Sequence, residues 1–185
     1  HFYLFMESSL SDEALMLAAT GGDLAAFEQL VLRHQESAWR TAYRMVGCRR
    51  EAEDLAQEAF LRVFEARDRY RPTAAFRTYL YRIVVRLCLD HLRKRRPLAT
   101  DGLAPVDSEL SAEQQAAESE QAQAVREAIA CLPANQRTAI VLRYYEGLSG
   151  RETAEAMDSS VKAVERLLAR ARKTLEVRLG DFFRD

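Results

Sequence analysis

A cluster of charged side chains near the carboxyl end has the residue types and spacing that bind double-stranded DNA. At 100° per residue, a helix after Ser160 places its apolar residues on one side: Val161, Val164, Leu167, Leu168, Ala171 and Leu175. The opposite side carries Lys162, Glu165, Arg166, Ala169 and Lys173, flanked by Arg170 and Arg172. Arg and Lys bind guanine edges or phosphates, and Glu accepts from cytosine. The pattern predicts a helix that reads the major groove; an ordinary amphipathic surface helix is the alternative.

A short helix and a turn precede this basic helix. Ser149 and Glu152 form an S-x-x-E capping box, which predicts a helix start, and that helix ends near Met157. Asp158 begins a tight turn, and Ser160 can cap the next helix. Two helices joined by a short turn are the helix-turn-helix pattern.

A second set of basic side chains is mixed with aromatic rings on a helix predicted over 75–95. The basic residues are Arg77, Arg82, Arg86, Arg93, Lys94, Arg95 and Arg96, and the rings are Phe76, Tyr79 and Tyr81. Cations bind phosphates and flat rings stack on unpaired bases, so the mixture indicates binding to single-stranded or melting DNA. The alternative is that the rings belong to a core and the basic end complements the helix dipole.

A third helix, predicted over 50–67, has a mostly acidic polar face. Its members are Glu51, Glu53, Asp54, Gln57, Glu58, Arg62 and Glu65. This face is either solvated surface or a docking site for a basic partner helix.

The cysteine and histidine positions do not favour an enzyme or a metal protein. Cys48, Cys88 and Cys131 are far apart and form no CxxC pair, so we expect neither zinc nor a disulfide framework, as in a reducing cytoplasm. His34 and His91 are also distant, and no Gly-rich phosphate loop occurs, so a nuclease or phosphotransferase is disfavoured and no cofactor is expected. No run approaches the roughly 18 apolar residues that cross a bilayer, so we expect no membrane insertion.

Helical periodicity dominates the whole chain, which has only 7 Gly and 4 Pro among 185 residues and a net charge of −1. Helices are predicted over 11–19, from Asp23 to about Val46, and from Pro133 towards Gly147. No Lys or Arg occurs from 97 to 125.

The sequence therefore predicts an all-α protein with two small helical domains. We expect an N-terminal helical bundle over 7–96, an acidic linker over 97–119 that lets the domains separate, and a helix-turn-helix domain over 120–185. On composition alone, a solvated acidic loop is the favoured alternative to the linker. Residues 1–5 precede Met6, which has the character of a natural start, and are left out of this scheme.

In this order the segments resemble an extracytoplasmic-function (ECF) sigma factor over about 11–179. Residues 52–64 are similar to the family segment that grips the clamp helices of the largest polymerase subunit. Residues 76–83, followed by 89–93, resemble its promoter-melting segment for the −10 element. Residues 132–137 and 142–149 resemble the entry to its −35-binding domain, and 164–175 match the end of the recognition helix.

The resemblance implies a division of labour between three surfaces. It implies that core RNA polymerase is bound by Asp54, Gln57, Glu58, Phe60, Leu61 and Arg62. It implies that the melted −10 strand is held by Phe76, Arg77, Tyr79, Tyr81, Arg82 and Arg86 with the basic helix end Arg93, Lys94, Arg95 and Arg96. It implies that the −35 duplex is bound by Lys162, Glu165, Arg166, Arg170 and Lys173. An anti-sigma factor is an expected partner, the linker is expected to thread the polymerase cleft, and the free protein is expected to bind promoters poorly.

Four positions depart from the family pattern. Arg86 stands where Asn is frequent, Tyr79 where Trp is common, Leu167 where a basic residue is usual and Thr153 where an aliphatic residue is usual. The first three bear on how the two promoter elements are read, and the last on packing.

An autonomous helix-turn-helix repressor or activator is the main rival. It predicts tight binding of the purified protein to a palindromic site, as a dimer. The sequence has no obvious dimerisation heptads, and the acidic third helix is unexplained in such a protein.

Overall fold

The computed structural model describes residues 10–95 and 120–180, and every regular element in these two ranges is helical. The first range contains α1 (Asp12–Thr20), α2 (Leu24–Val46), α3 (Arg49–Glu65), a 3-10 turn (Arg67–Arg69) and α4 (Phe76–Arg95). The second contains α5 (Glu120–Ala130), α6 (Ala134–Ile140), a π turn (Val141–Tyr145), α7 (Gly150–Ala156) and α8 (Val161–Leu179). The predicted all-α fold is confirmed, whereas Arg96 and the predicted linker lie outside the described residues.

Side-chain caps begin the helices where the sequence predicts them. The carboxylate of Asp23 accepts from Ala26 N–H, and the hydroxyl of Ser160 accepts from Ala163 N–H at 3.2 Å. In the capping box, Ser149 N–H donates to Glu152 Oε2 at 2.8 Å and Glu152 N–H donates to Ser149 Oγ at 3.2 Å. The bond from the Ser149 backbone N–H lowers the pKa of Glu152, because it stabilises the ionised carboxylate. These caps satisfy N–H groups that the helix cannot bond internally.

The first domain is a bundle in which α2, α3 and α4 pack around one apolar core. Fully buried side chains such as Leu30, Met45, Val63 and Leu80 come from all three helices. The short α1 is tied to the start of α4 because the Phe76 N–H donates to Glu13 Oε1 at 2.7 Å. This capping contact fixes where α4 begins, and hence where its basic face points.

The second domain has its own smaller core, formed by α5, α6, α7 and α8. The sequence predicts one helix from Pro133 towards Gly147, but after Ile140 the backbone widens into a π turn. There Glu146 N–H donates to Val141 O at 3.0 Å, five residues back, and Gly147 adopts a left-handed φ of 67°. The wider turn redirects the chain into α7, and it presents the Glu146 side chain to the first domain.

The two domains pack against each other through apolar side chains. Leu142, Leu148 and Ala156 of the second domain are buried in the same cluster as the core of the first. The Arg137 guanidinium also donates to the carbonyl of Met45 at the end of α2. The sequence left open whether the domains touch, and the structure shows a packed arrangement. The expectation that they can separate remains a prediction.

We predict that Ser149→Ala lowers the free energy of unfolding by about 1 kcal/mol, because it removes the acceptor that caps α7. Urea denaturation followed by circular dichroism measures this change. Ser159→Ala is the matched control, since that neighbouring hydroxyl has no hydrogen-bond partner among the described residues. Equal stability of the two variants would contradict the capping role.

Candidate nucleic-acid and polymerase interfaces

The α8 helix turns its charged face to solvent, as its sequence predicts. Val164, Leu168 and Ala171 are buried against α6 and α7. The predicted base- and phosphate-binding residues Lys162, Glu165, Arg166, Arg170 and Lys173 are all exposed. Val161 was predicted on the buried side, but it is 42% exposed because it lies in the first turn, ahead of the core contacts. The exposed face presents four cations and one carboxylate on a rigid support.

The turn between α7 and α8 has the geometry of a helix-turn-helix. Asp158 adopts a φ of 48°, a left-handed conformation that Asp tolerates better than most residues. Ser159 N–H donates to Ala154 O at 2.8 Å and closes the turn. The α8 helix is therefore held at a fixed angle to α7, as a major-groove reader requires.

The basic face of α4 is only partly available. Arg82 and Arg86 are exposed, and Arg77 is half-buried. At the end of the helix, Arg93 pairs with Asp90 at 3.2 Å and Arg95 pairs with Glu51 at 2.8 Å.

Three cations of this set, Arg77, Arg86 and Lys94, form no ion pair among the described residues, and of these Arg86 and Lys94 are exposed. Of the predicted strand-binding cations in the described part of α4, these two are therefore the most readily offered to a phosphate.

The structure corrects the predicted role of Phe76. Its side chain is fully buried, with its ring 5.4 Å from His34 and 6.3 Å from Tyr79. A ring in this position belongs to the core, and it cannot stack on a base without unfolding the start of α4. The core alternative considered for the aromatic residues is thus the right one for Phe76.

The two tyrosines of α4 differ in their surroundings. Tyr79 is half-buried against Tyr70, with ring centroids 5.3 Å apart. Tyr81 is buried where the domains meet, and its hydroxyl donates to Glu146 Oε2 at 2.6 Å. Burial and this bond raise the pKa of Tyr81 to about 12. In this arrangement the buried Tyr81 ring presents no free face to a base, whereas the Tyr79 ring stays partly exposed.

An apolar groove of about 950 Å³ runs between α2 and α3. Three of the predicted polymerase-binding residues line it, namely Gln57, Phe60 and Leu61. The other three do not: Asp54 and Arg62 are exposed beside it, and Glu58 pairs with Arg62 at 2.8 Å.

One wall of the groove comes from α2 and was not predicted from the sequence. Phe27, Val31 and Trp39 line this wall, and the Arg49 guanidinium lies 5.6 Å from the Trp39 ring. The apolar stripe of α2 predicts a buried face, but it does not distinguish core residues from groove residues. The indole N–H of Trp39 has no partner within the described ranges.

Family models match both domains. The model for sigma-70 region 2 matches residues 30–97, and a model for sigma-70 region 4 matches residues 122–175. The RNA polymerase sigma-H factor of Pseudomonas aeruginosa is 34% identical over 187 residues, which cover 94% of this chain and 96% of that protein. The ECF sigma factor SigW of Bacillus subtilis is 32% identical, over 86% of this chain and 92% of that protein. The chain belongs to the ECF family of sigma factors. It is an alternative sigma factor that directs transcription initiation.

The ECF sigma-E factor of Escherichia coli shows the same relationship, at 32% identity over 97% of this chain and the whole of that protein. Among solved structures, CnrH in complex with the cytosolic domain of CnrY superposes with a TM-score of 0.72. It is 29% identical, and the match covers 92% of this chain and 97% of that one. The likeness spans both helical domains rather than one of them.

Within 10–95 and 120–180, no helix has the length and apolar character of a bilayer span. The same residues contain no group of three or more His, Cys, Asp and Glu side chains arranged to hold a metal ion.

Thr153 is one of the four positions that depart from the family pattern, and the structure shows how its side chain is packed. Its side chain is fully buried, and its hydroxyl has no partner in the described part of the chain. A buried hydroxyl without a hydrogen bond costs free energy. The aliphatic residue usual at this position avoids that cost.

We predict that Thr153→Val raises the free energy of unfolding by about 1 kcal/mol, because it removes an unsatisfied buried hydroxyl. Thr138→Val is the control, since Thr138 is equally buried but donates to Ala134 O at 2.8 Å. Thermal and urea unfolding of both variants give the comparison. A stability gain in the control and none in Thr153→Val would contradict the assignment.

Proposed function

We propose that this sigma factor uses three surfaces in three successive tasks. The groove between α2 and α3 docks on the clamp helices of core RNA polymerase. The basic face of α4 holds the melted −10 strand, and the charged face of α8 binds the −35 duplex. The observation that carries the proposal is the exposed charged face of α8 on a capped helix-turn-helix, in one chain with a long apolar groove.

The groove supports docking of a helix because its floor is apolar and its rim is polar. Leu61 is 57% exposed at its edge, and Glu36 and Glu53 lie among the lining residues. Apolar side chains of a partner helix gain by burial there, and the rim, where Glu36 pairs with Arg40 and Glu53 pairs with Arg49, offers charges of both signs to its polar side chains. An autonomous repressor has no use for such a surface.

The chain acts by binding alone and forms no covalent intermediate. It acts in the cytoplasm, together with the polymerase. Each stacked base contributes about 1–3 kcal/mol to melting. An anti-sigma factor inhibits it by covering one or both domains; the solved relative CnrH, bound to the cytosolic domain of CnrY, supports a protein partner of this kind.

We predict that Leu61→Asp weakens binding to purified bacterial core RNA polymerase at least about tenfold, because it places a charge at the edge of an apolar contact. Leu61 is largely exposed, so the fold is spared. Leu24→Asp is the control, since Leu24 is 65% exposed on α2 and does not line the groove. Biolayer interferometry measures both. Wild-type affinity in Leu61→Asp would exclude the groove as the docking site.

We predict that a Lys162→Ala, Arg166→Ala and Arg170→Ala triple variant loses initiation at least about tenfold, since one base-edge contact is worth about 1–3 kcal/mol. The assay is in vitro transcription with core polymerase on a library of promoter fragments. Arg178→Ala, an exposed cation farther along α8, is the control. Unchanged initiation by the triple variant contradicts the −35 role. Tight DNA binding by the free protein, without stimulation of the polymerase, favours the autonomous regulator.

A further inference from the structure

The first helix, α1, belongs to none of the three surfaces assigned above, yet it holds the segment that leads into α4. The model for sigma-70 region 2 matches residues 30–97, so α1 lies outside that match. Two side-chain hydrogen bonds join α1 to the connector between α3 and α4, which we define as residues 66–75, and to the first residue of α4. The two bonds lie at opposite ends of the connector.

At the far end of the connector, Glu13 caps α4. Its Oε1 accepts from the Phe76 N–H at 2.7 Å, and this N–H is one of those that a helix cannot bond internally. A carboxylate at this position also interacts favourably with the positive end of the helix dipole. Arg77 and Tyr79 lie in the first turn of α4. Their directions therefore depend on a turn whose start is held by a side chain of α1.

At the near end of the connector, the Thr20 hydroxyl donates to Arg67 O at 2.9 Å. Between the two bonds, the Tyr70 side chain is buried, with its ring centroid 5.3 Å from that of Tyr79. The connector is thus held by α1 at both ends and by a buried ring in between. This arrangement leaves the backbone that enters α4 little freedom to move.

The α1 helix is itself anchored on α2, so the two bonds start from a fixed base. Asp12 Oδ1 accepts from Arg33 Nη1 at 3.0 Å, and Asp12 Oδ2 lies 2.6 Å from His34 Nε2. The side chains of Leu15 and Met16 are fully buried in the core of the first domain. One path from this core to the start of α4 therefore runs through α1.

We propose that α1 positions the strand-binding face of α4, with Glu13 as the positioning residue at Phe76 and Thr20 as its counterpart at Arg67. Neither side chain touches DNA in this role, because each acts through the backbone of the connector or of the first turn. The effect falls on Arg77 and Tyr79. This inference rests on the proposed role of α4 in holding the melted strand.

A purely stabilising role of Glu13 predicts a different result. Loss of stability lowers the fraction of folded protein, and with it the amount of active holoenzyme, but the complexes that do form open the promoter at the normal rate. A positioning role lowers the rate constant of promoter opening itself. It leaves the initial binding of duplex promoter unchanged, since the proposed function assigns that step to α8.

The test measures promoter opening by holoenzyme reconstituted from full-length variants and purified bacterial core polymerase. The probe is a promoter fragment recovered from the transcription library above, with 2-aminopurine in its −10 element, whose fluorescence rises when the base unpairs. Varying the holoenzyme concentration separates the binding constant for duplex promoter from the opening rate constant. We expect Glu13→Ala to lower the opening rate constant about fivefold, the size of a lost helix cap, and to change the binding constant less than about twofold.

Three further variants make the comparison specific. Glu13→Gln keeps an oxygen that can accept from the Phe76 N–H, so it should restore most of the opening rate. Glu28→Ala removes the same charge from an exposed position on α2 that forms no ion pair within the described ranges, and it should open promoters like the wild type. If Glu13→Ala does not fold, Thr20→Val replaces it and should lower the opening rate constant about threefold, the size of one lost hydrogen bond.

An unchanged opening rate constant in folded Glu13→Ala, or in Thr20→Val where that variant replaces it, would overturn the positioning role. A fall of equal size in Glu28→Ala would overturn it too, because the effect would then be one of net charge. The proposed role of α4 is checked separately with Arg82→Ala/Arg86→Ala. Normal opening by that variant refutes strand binding by α4, and the positioning role with it. Slow opening by that variant, with normal opening by Glu13→Ala, refutes the positioning role alone.

Discussion

The placement of the two domains depends on one largely desolvated carboxylate. Glu146 reaches Thr41, Arg44 and Tyr81 from a π turn, and the donors come from two helices, α2 and α4. Truncating one partner of a buried charged contact costs several times more than the same change at the surface. The half-exposed ion pair between Arg82 and Asp158, by contrast, takes its position from the packing that Glu146 completes. The orientation of α8 relative to α4 therefore follows from this carboxylate together with the apolar contact that packs the two domains.

The two surfaces proposed to bind DNA lie on helices whose starts are fixed by capping. Glu13 caps α4, Ser149 and Glu152 cap α7, and Ser160 caps α8. A side chain on a capped helix keeps its direction, which the binding of bases and phosphates requires. In this protein the cores hold the helices and the caps fix their starts, and the proposed function assigns the exposed faces to polymerase and DNA.

The sequence predicted most of the local structure because local structure depends on nearby residues. The capping box spans three positions, and the charged face of α8 follows from a 100° repeat. Gly47 and Pro133 disfavour helix continuation, and the helix boundaries predicted from them lie within a residue or two of the observed boundaries. The exposed face of α8 was predicted almost completely, apart from Val161 in the first turn.

What the sequence did not predict depends on contacts between distant residues. Glu146 meets Thr41 across 105 positions of the chain, and no periodicity carries that information. Phe76 has the same residue type whether it stacks on a base or fills a core, and only its neighbours show that it fills a core. The α2 wall of the groove was missed because an apolar stripe does not reveal whether another part of the chain covers it.

The central claim is that the two domains of the free chain pack together around Glu146 and separate when the chain binds the polymerase. The most direct test measures the distance between two spin labels on the full-length protein. One label is attached at Asp68→Cys in the first domain and the other at Lys173→Cys in the second, and both positions are exposed. Cys48 and Cys131 are replaced by Ala; Cys88 is fully buried, and burial raises the pKa of its thiol to about 12, so it does not react. The account predicts one narrow distance distribution for the free protein and a longer one with core RNA polymerase. A broad distribution in the free protein, or the same narrow one with polymerase, would contradict it.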